Sequence, residues 1–240
     1  VTDGTYSLNV SFEPAEINVN NQVQVKGVHW YKYVPAYGED YIFYAYGNEG
    51  AITVNIYNHN LQLQKTSSLN GKNSAEYAFS QNTVYYFEIV PTDETELFVF
   101  TVEYADPMAH KDETAIGIEE GVINVQNTVT NTVRVYEFTP ENSGNYQIRV
   151  LKNSFNTIAA KKLNGTAMSA LGEIVSSSDL KAEFALPSLT AGQTYYIEIT
   201  SANYDTLSII IVYDYQDIIV SARDESGTEI NVTGSSEEIV

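Results

Sequence analysis

The chain has 240 residues, carries 31 acidic against 12 basic side chains for a net charge of −19, and holds no cysteine. That charge repels phosphates, which argues against nucleic acid and anionic membrane surfaces as partners, and the missing thiols exclude a disulfide framework and thiolate metal sites. An aromatic share of 12%, with 19 Tyr and 9 Phe, is too rich for disorder and provides apolar material for two cores.

From the amino end, residues 6–12 have the pattern of two later apolar stretches, 97–102 and 207–212. Residues 1–12 therefore read as the last strand of a preceding unit or an extra first strand. Apolar side chains then alternate through Tyr31 and Tyr33, through Tyr41, Phe43 and Ala45, and through Tyr85, Phe87 and Ile89. They alternate again through Tyr136 and Phe138, through Tyr146, Ile148 and Val150, and through Tyr195, Ile197 and Ile199. A period of two lines one face of a strand. Turn signals at Gly38, Gly47, Gly50, Gly71, Gly144, Gly165 and Gly192 separate the runs. The one helix candidate lies within 167–180. No apolar run reaches the ~20 residues of a membrane helix. No signal peptide is visible; if the protein is exported, its signal is expected upstream.

The chain repeats itself. Ile17-Asn18-Val19 returns as Ile123-Asn124-Val125, and Tyr31-Lys32-Tyr33-Val34-Pro35 as Tyr136-Glu137-Phe138-Thr139-Pro140. Ala75-Glu76-Tyr77-Ala78-Phe79 returns as Ala182-Glu183-Phe184-Ala185-Leu186, and Tyr85-Tyr86-Phe87-Glu88-Ile89 as Tyr195-Tyr196-Ile197-Glu198-Ile199. Blocks matched in one order imply two copies of one domain. The expected fold is all-β: two tandem antiparallel β-sandwich domains of jelly-roll type, over 13–106 and 107–216. Residues 217–240 form a tail that could open a third unit, since Ile230-Asn231-Val232 repeats the first triplet.

Phe138-Thr139-Pro140-Glu141-Asn142-Ser143-Gly144-Asn145-Tyr146 resembles the FTP-x-x-SG-x-Y hairpin of bacterial pre-peptidase C-terminal domains. Leu189-Thr190-Ala191-Gly192-Gln193-Thr194-Tyr195-Tyr196-Ile197 resembles their L-x-AG-x-TYYI strand. The resemblance implies jelly-roll sandwiches of secreted or surface-attached proteins, extracellular, with an accessory or adhesive role. The acidic Asp-Asp loop of that family is replaced here by Asn153-Ser154-Phe155-Asn156, so ligand roles tied to that loop do not carry over.

Catalytic patterns are lacking. His29, His59 and His110 have no counterparts in the second repeat and no metal-ligand spacing, and no G-x-S-x-G occurs. Glu88 and Glu198 are equivalent and read as a solvated strand face rather than an acid and base. No cofactor is expected. Calcium is the one metal that oxygen donors here admit, with Asp106, Asp112, Glu113, Glu119 and Glu120 of the interdomain stretch as candidates against a background reading of screened surface charge.

The aromatics that differ between repeats carry the functional reading. Trp30 aligns with Val135, Tyr37 with Asn142, Tyr44 with Arg149 and Tyr46 with Leu151. If the strands around the Tyr37 turn pair, Trp30 lies opposite Tyr44, and an outward strip of Trp30, Tyr37, Tyr44 and Tyr46 forms on the first unit. Such rings stack on sugars or anchor proteins. The competing reading is cross-strand stabilisation or burial against the neighbouring module. The expected protein is a non-catalytic module pair of a bacterial exported surface protein. As a spacer or adhesin it would bind a host or matrix protein or a glycan. The alternative is a carbohydrate-binding accessory of a secreted hydrolase.

Overall fold

The computed structural model describes residues 12–47, 50–152, 158–167, 170–173, 181–202, 205–214, 221–223 and 229–231. The first unit contains β1 (Ala15–Glu16), β2 (Gln22–Val25), β3 (His29–Tyr33), β4 (Asp40–Gly47), β5 (Ile52–Asn58), β6 (Leu63–Leu69), β7 (Ser74–Ala78), β8 (Tyr85–Pro91) and β9 (Phe98–Tyr104). A four-residue helix, α1 (Lys111–Thr114), sits in the connection. The second unit contains β10 (Ile116–Gly117), β11 (Asn124–Thr128), β12 (Thr132–Phe138), β13 (Gly144–Lys152), β14 (Ile158–Leu163), β15 (Thr166–Ala167), β16 (Ala170–Glu173), β17 (Lys181–Leu189), β18 (Tyr195–Ser201) and β19 (Asp205–Tyr213). An antiparallel pair, β20 (Ser221–Arg223) and β21 (Glu229–Asn231), follows.

The first unit's sheets run β1-β3-β8-β5-β6 and β2-β9-β4-β7; the second unit's run β10-β12-β18-β14-β15 and β11-β19-β13-β17-β16. Apart from the same-sheet neighbours β5–β6, β14–β15 and β16–β17, consecutive strands of each unit lie in opposite sheets, as in a jelly roll. β1 pairs in parallel with β3, and β10 with β12, while the other ladders are antiparallel. The chain is therefore all-β, with two antiparallel jelly-roll sandwiches in tandem.

Alternation makes this packing possible. In β8 each odd position from Tyr85 to Pro91 is buried, and the even ones face outward. The core of the first unit draws on both its sheets: Phe87 lies 5.8 Å from Phe43 and 5.6 Å from Phe100, ring centre to ring centre. One core spans Ile17 to Tyr104, the other Ile118 to Ile211. Tyrosine hydroxyls pin the corners. Tyr146 donates to the Asn142 carbonyl at 2.9 Å, and Tyr195 accepts from the Thr190 amide at 2.8 Å. Tyr41 with Tyr37, and Tyr85 with Ser80, repeat this in the first unit. Both motifs of the pre-peptidase resemblance are thus corner fasteners.

Four expectations need correction. The Phe138–Tyr146 motif is not a hairpin: β12 and β13 belong to opposite sheets. The triplet match is accidental. Ile17 and Ile118 each donate an amide hydrogen bond of 2.9 Å to equivalent carbonyls, of Lys32 and Glu137, and both are buried, whereas Ile123 is 57% exposed. The Ala75 block slips by two: Ala75 pairs with Phe43, and Phe184 with Ile148, its counterpart. A two-residue slip keeps every side chain on its face, so the pattern hides it. Lastly, the helix candidate contains β16, and β15 ends at its first residue; its positions 168–169 and 174–180 lie outside the described residues, as do 6–11, 153–156 and Val232.

Candidate functional site

The four aromatics do not form one strip. Trp30 on β3 pairs with Glu88 of β8, while Tyr44 on β4 pairs with Thr101 of β9 and Ser74 of β7, in the other sheet. The Tyr37 turn carries the chain between sheets rather than between neighbouring strands. Tyr37, Tyr44 and Tyr46 lie instead where the two units meet.

Tyr44 points outward from the first core yet is fully buried. Its hydroxyl donates to Glu103, and Arg134 of the second unit donates through Nη1 to Glu103 Oε2 at 2.6 Å and through Nη2 to the Tyr44 hydroxyl at 2.5 Å. Tyr46 donates to the Tyr44 hydroxyl at 3.2 Å. Burial pushes the Tyr44 phenol well above its ordinary value. Burial alone would lower Arg134, but Tyr44 and Glu103 beside it more than offset that, so the guanidinium stays charged. Thr130 completes the joint, donating from its amide (3.0 Å) and hydroxyl (2.6 Å) to the Lys72 carbonyl.

The connection packs on the same joint. His110 stacks on Tyr104 with centroids 3.9 Å apart and 15° between planes, lies 4.5 Å from the Tyr37 ring, and places Nε2 2.6 Å from Glu39 Oε1. Tyr37 and Tyr104 donate to the two Glu113 oxygens at 2.8 and 3.0 Å, and these bonds hold that carboxyl below the usual range. Lys111 lies 5.2 Å over the Tyr196 ring. Of the five calcium candidates, Asp106 accepts from the Ala109 amide, Asp112 from the Tyr196 hydroxyl and Glu113 from the two phenols, while Glu119 and Glu120 are exposed. Among the described residues no three His, Asp or Glu gather as a metal site.

Sequence reasoning missed Glu39, Glu103, Tyr104, His110 and Arg134. For Glu103 and Arg134 the signal was asymmetry at single positions: Glu103 stands where the second unit has Val212, and Arg134 where the first has His29, whereas Tyr104 is matched by Tyr213 and gave none. His59 occupies the exposed turn in which Asn58 Oδ1 accepts from the Asn60 and Gln62 amides.

Trp30 belongs to a separate aromatic group on the outer face of the β3–β8–β5 ladder. It stacks on Tyr57 at 5.1 Å, and Phe12 meets Trp30 edge-on at 5.2 Å and Tyr86 at 5.4 Å. Glu88 accepts from Asn55 Nδ2 (2.8 Å) and the Tyr57 hydroxyl (2.9 Å), and Lys32 pairs with Glu16 at 3.3 Å. Trp30 and Glu88 are half-buried, and Val28 is 49% exposed. Their counterparts Val135 and Glu198 are buried, at 2% and 7%, which corrects the reading of Glu198 as solvated.

No family model matches the chain, and no curated protein matches it. Solved structures with some likeness include an anti-sigma factor domain-containing protein (9% identity, 79% of each chain covered, TM-score 0.29). A second anti-sigma factor domain-containing protein, from Clostridium clariflavum, shows 14% identity over 77% of each chain with a TM-score of 0.25. The PBSX exported protein XepA shows 8% identity over 81% of this chain and 85% of the other, with a TM-score of 0.24. Scores of this size carry no argument about fold or function. Among the described residues, no helix is long and apolar enough to cross a membrane.

Proposed function

We propose that this chain is a non-catalytic module pair of a bacterial exported cell-surface protein, acting as a spacer or adhesin that holds a binding surface at a fixed geometry. The carrying observation is the joint. A buried Arg134–Glu103–Tyr44 cluster and a folded-back connection fasten one closed sandwich to the next, where a bare flexible link would let them tumble independently. The pre-peptidase-like corner motifs support export. Small-angle scattering on the intact pair tests the reading: one narrow interparticle-domain distance supports it, and a distribution as broad as that of freely jointed domains refutes it.

A second reading, a carbohydrate-binding accessory of a secreted hydrolase, is favoured by the Trp30–Tyr57–Tyr86–Phe12 group with Asn55 and Lys32 beside it. Rings flanked by hydrogen-bonding groups suit sugar stacking. A glycan array on wild type and Trp30→Ala tests it. Binding lost in the variant supports it; an array with no hits dismisses it.

A further inference from the structure

We infer that the outer β3–β8 face of the first unit, around Val28 and Trp30, is a docking face for the outer β13–β19 face of the second unit of another copy, reproducing head-to-tail the joint inside the chain. The inference rests on the spacer reading and extends it from a pair to an array.

The internal joint has two halves. The receiving half is the outer face of the first unit's second sheet, with Tyr44, Tyr46, Thr101 and Glu103. The entering half is the start of β12 with Val133, Arg134 and Val135, helped by the preceding connection. A cleft lined by Gln22, Glu103, Val133, Arg134 and Val135 joins them. In this joint Tyr44, Thr101 and Val135 are all buried although they point away from their own cores.

Because the units share one topology and register, each half exists twice. The second entering half is Val28, His29 and Trp30, of which His29 and Trp30 pair with β8 as Arg134 and Val135 pair with β18. Phe12 lies three residues ahead of β1, as Glu113 lies three ahead of β10, and Glu113 grips the first unit's Tyr37 and Tyr104. The second receiving half is Arg149, Leu151, Ile210 and Val212, at the positions of Tyr44, Tyr46, Thr101 and Glu103. Both spare halves are open: Val28 is 49% and Leu151 38% exposed, and Ile210 and Val212 are half-buried. Both are also more apolar than the internal pair, with Trp and Val against Ile, Val and Leu. Two different apolar faces, one on each unit, that meet between copies form a heterologous contact, which propagates rather than closes.

The chain's charge of −19 opposes this at long range, but that repulsion is screened beyond ~8 Å at physiological ionic strength. Association should therefore rise with salt, as apolar contact requires.

Sedimentation velocity across a concentration series, at low and at physiological salt, tests the inference. Wild type is expected to form dimers and longer oligomers, more so at the higher salt. Trp30→Glu alone, and Val212→Glu alone, should each weaken self-association at least about a hundredfold, the scale of losing a central apolar anchor. Mixed one to one, the two variants should form a dimer that grows no further, because each retains one intact half. Val28→Asp and Leu151→Asp repeat the design if either first variant fails to fold. A wild type that stays monomeric while remaining stiff in scattering overturns the inference and leaves the spacer reading standing. A mixture that stays monomeric overturns it as well, and so does a glycan that occupies the Trp30 face of a monomeric wild type.

Discussion

Arg134 Nη1 lies 2.6 Å from Glu103 Oε2 across the boundary between two sandwiches, and both side chains are nearly buried, at 12% and 14% exposure. Removing one member of such a pair strands the other without water or counter-charge, a loss of about 3 kcal/mol. Arg134→Ala should therefore weaken the docked state by about that amount. In chemical denaturation it should also separate the units into two transitions. An unchanged, single transition would show that the cluster does not hold the units together.

The connection should let go in acid. The Glu113 carboxyl sits below its ordinary value because Tyr37 and Tyr104 donate to it. A lowered folded value means the stabilisation is fully present above the unfolded carboxyl value of ~4.3 and is lost as pH falls through the lower folded one. Proteolysis of the 105–115 segment should therefore stay slow at neutral pH and quicken below that point. In Glu113→Gln, the protection should be weaker at neutral pH and flat across the same range.

At the alkaline end the sign reverses. Burial raises the Tyr44 phenol, so the joint's stability is fully present below the unfolded phenol value of ~10 and is lost as pH climbs through the raised folded value. Near-ultraviolet phenolate absorbance should show Tyr44 ionising late and together with separation of the units. Tyr44→Phe should lower the late amplitude by one phenol, leaving that of the other raised phenols, Tyr33, Tyr104 and Tyr136. A late amplitude unchanged in the variant would show that Tyr44 is not among the late phenols.

Strand existence was legible because the 85–91 and 195–201 runs alternate so regularly that one face of each must be core. Strand partnership was not. Alternation at Trp30 is the same whether β3 lies beside β4 or, as it does, beside β8, and in a jelly roll successive strands usually sit in opposite sheets. The Tyr44 hydroxyl and ring look like surface features to any pattern that counts only one unit's core. They are buried because a second unit covers a face that alternation marks as outward. Arg134 was invisible for the same reason, since its partners are contributed by residues 44 and 103. Comparing the repeats did isolate Trp30, Tyr37, Tyr44 and Tyr46 as the positions the fold itself does not require. Three of them serve the joint and its connection.

Tyrosine-to-phenylalanine substitutions should separate fastening hydroxyls from idle ones. Tyr146 and Tyr195 are buried at 1% and 7% exposure, and Phe keeps their rings in place. What is lost is one hydrogen bond each, to the Asn142 carbonyl and from the Thr190 amide. Each substitution should cost about 1 kcal/mol, which for a chain of this size lowers the thermal midpoint by about 2–4 °C. Tyr136 is as deeply buried, but its hydroxyl has no hydrogen-bond partner among the described residues, and burial has pushed its phenol up. A buried polar group without a partner is a penalty, so Tyr136→Phe should leave the midpoint unchanged or raise it. Calorimetry on the three variants reads the difference directly: a loss at Tyr136 equal to that at Tyr146 would mean that its hydroxyl is fastened in solution after all.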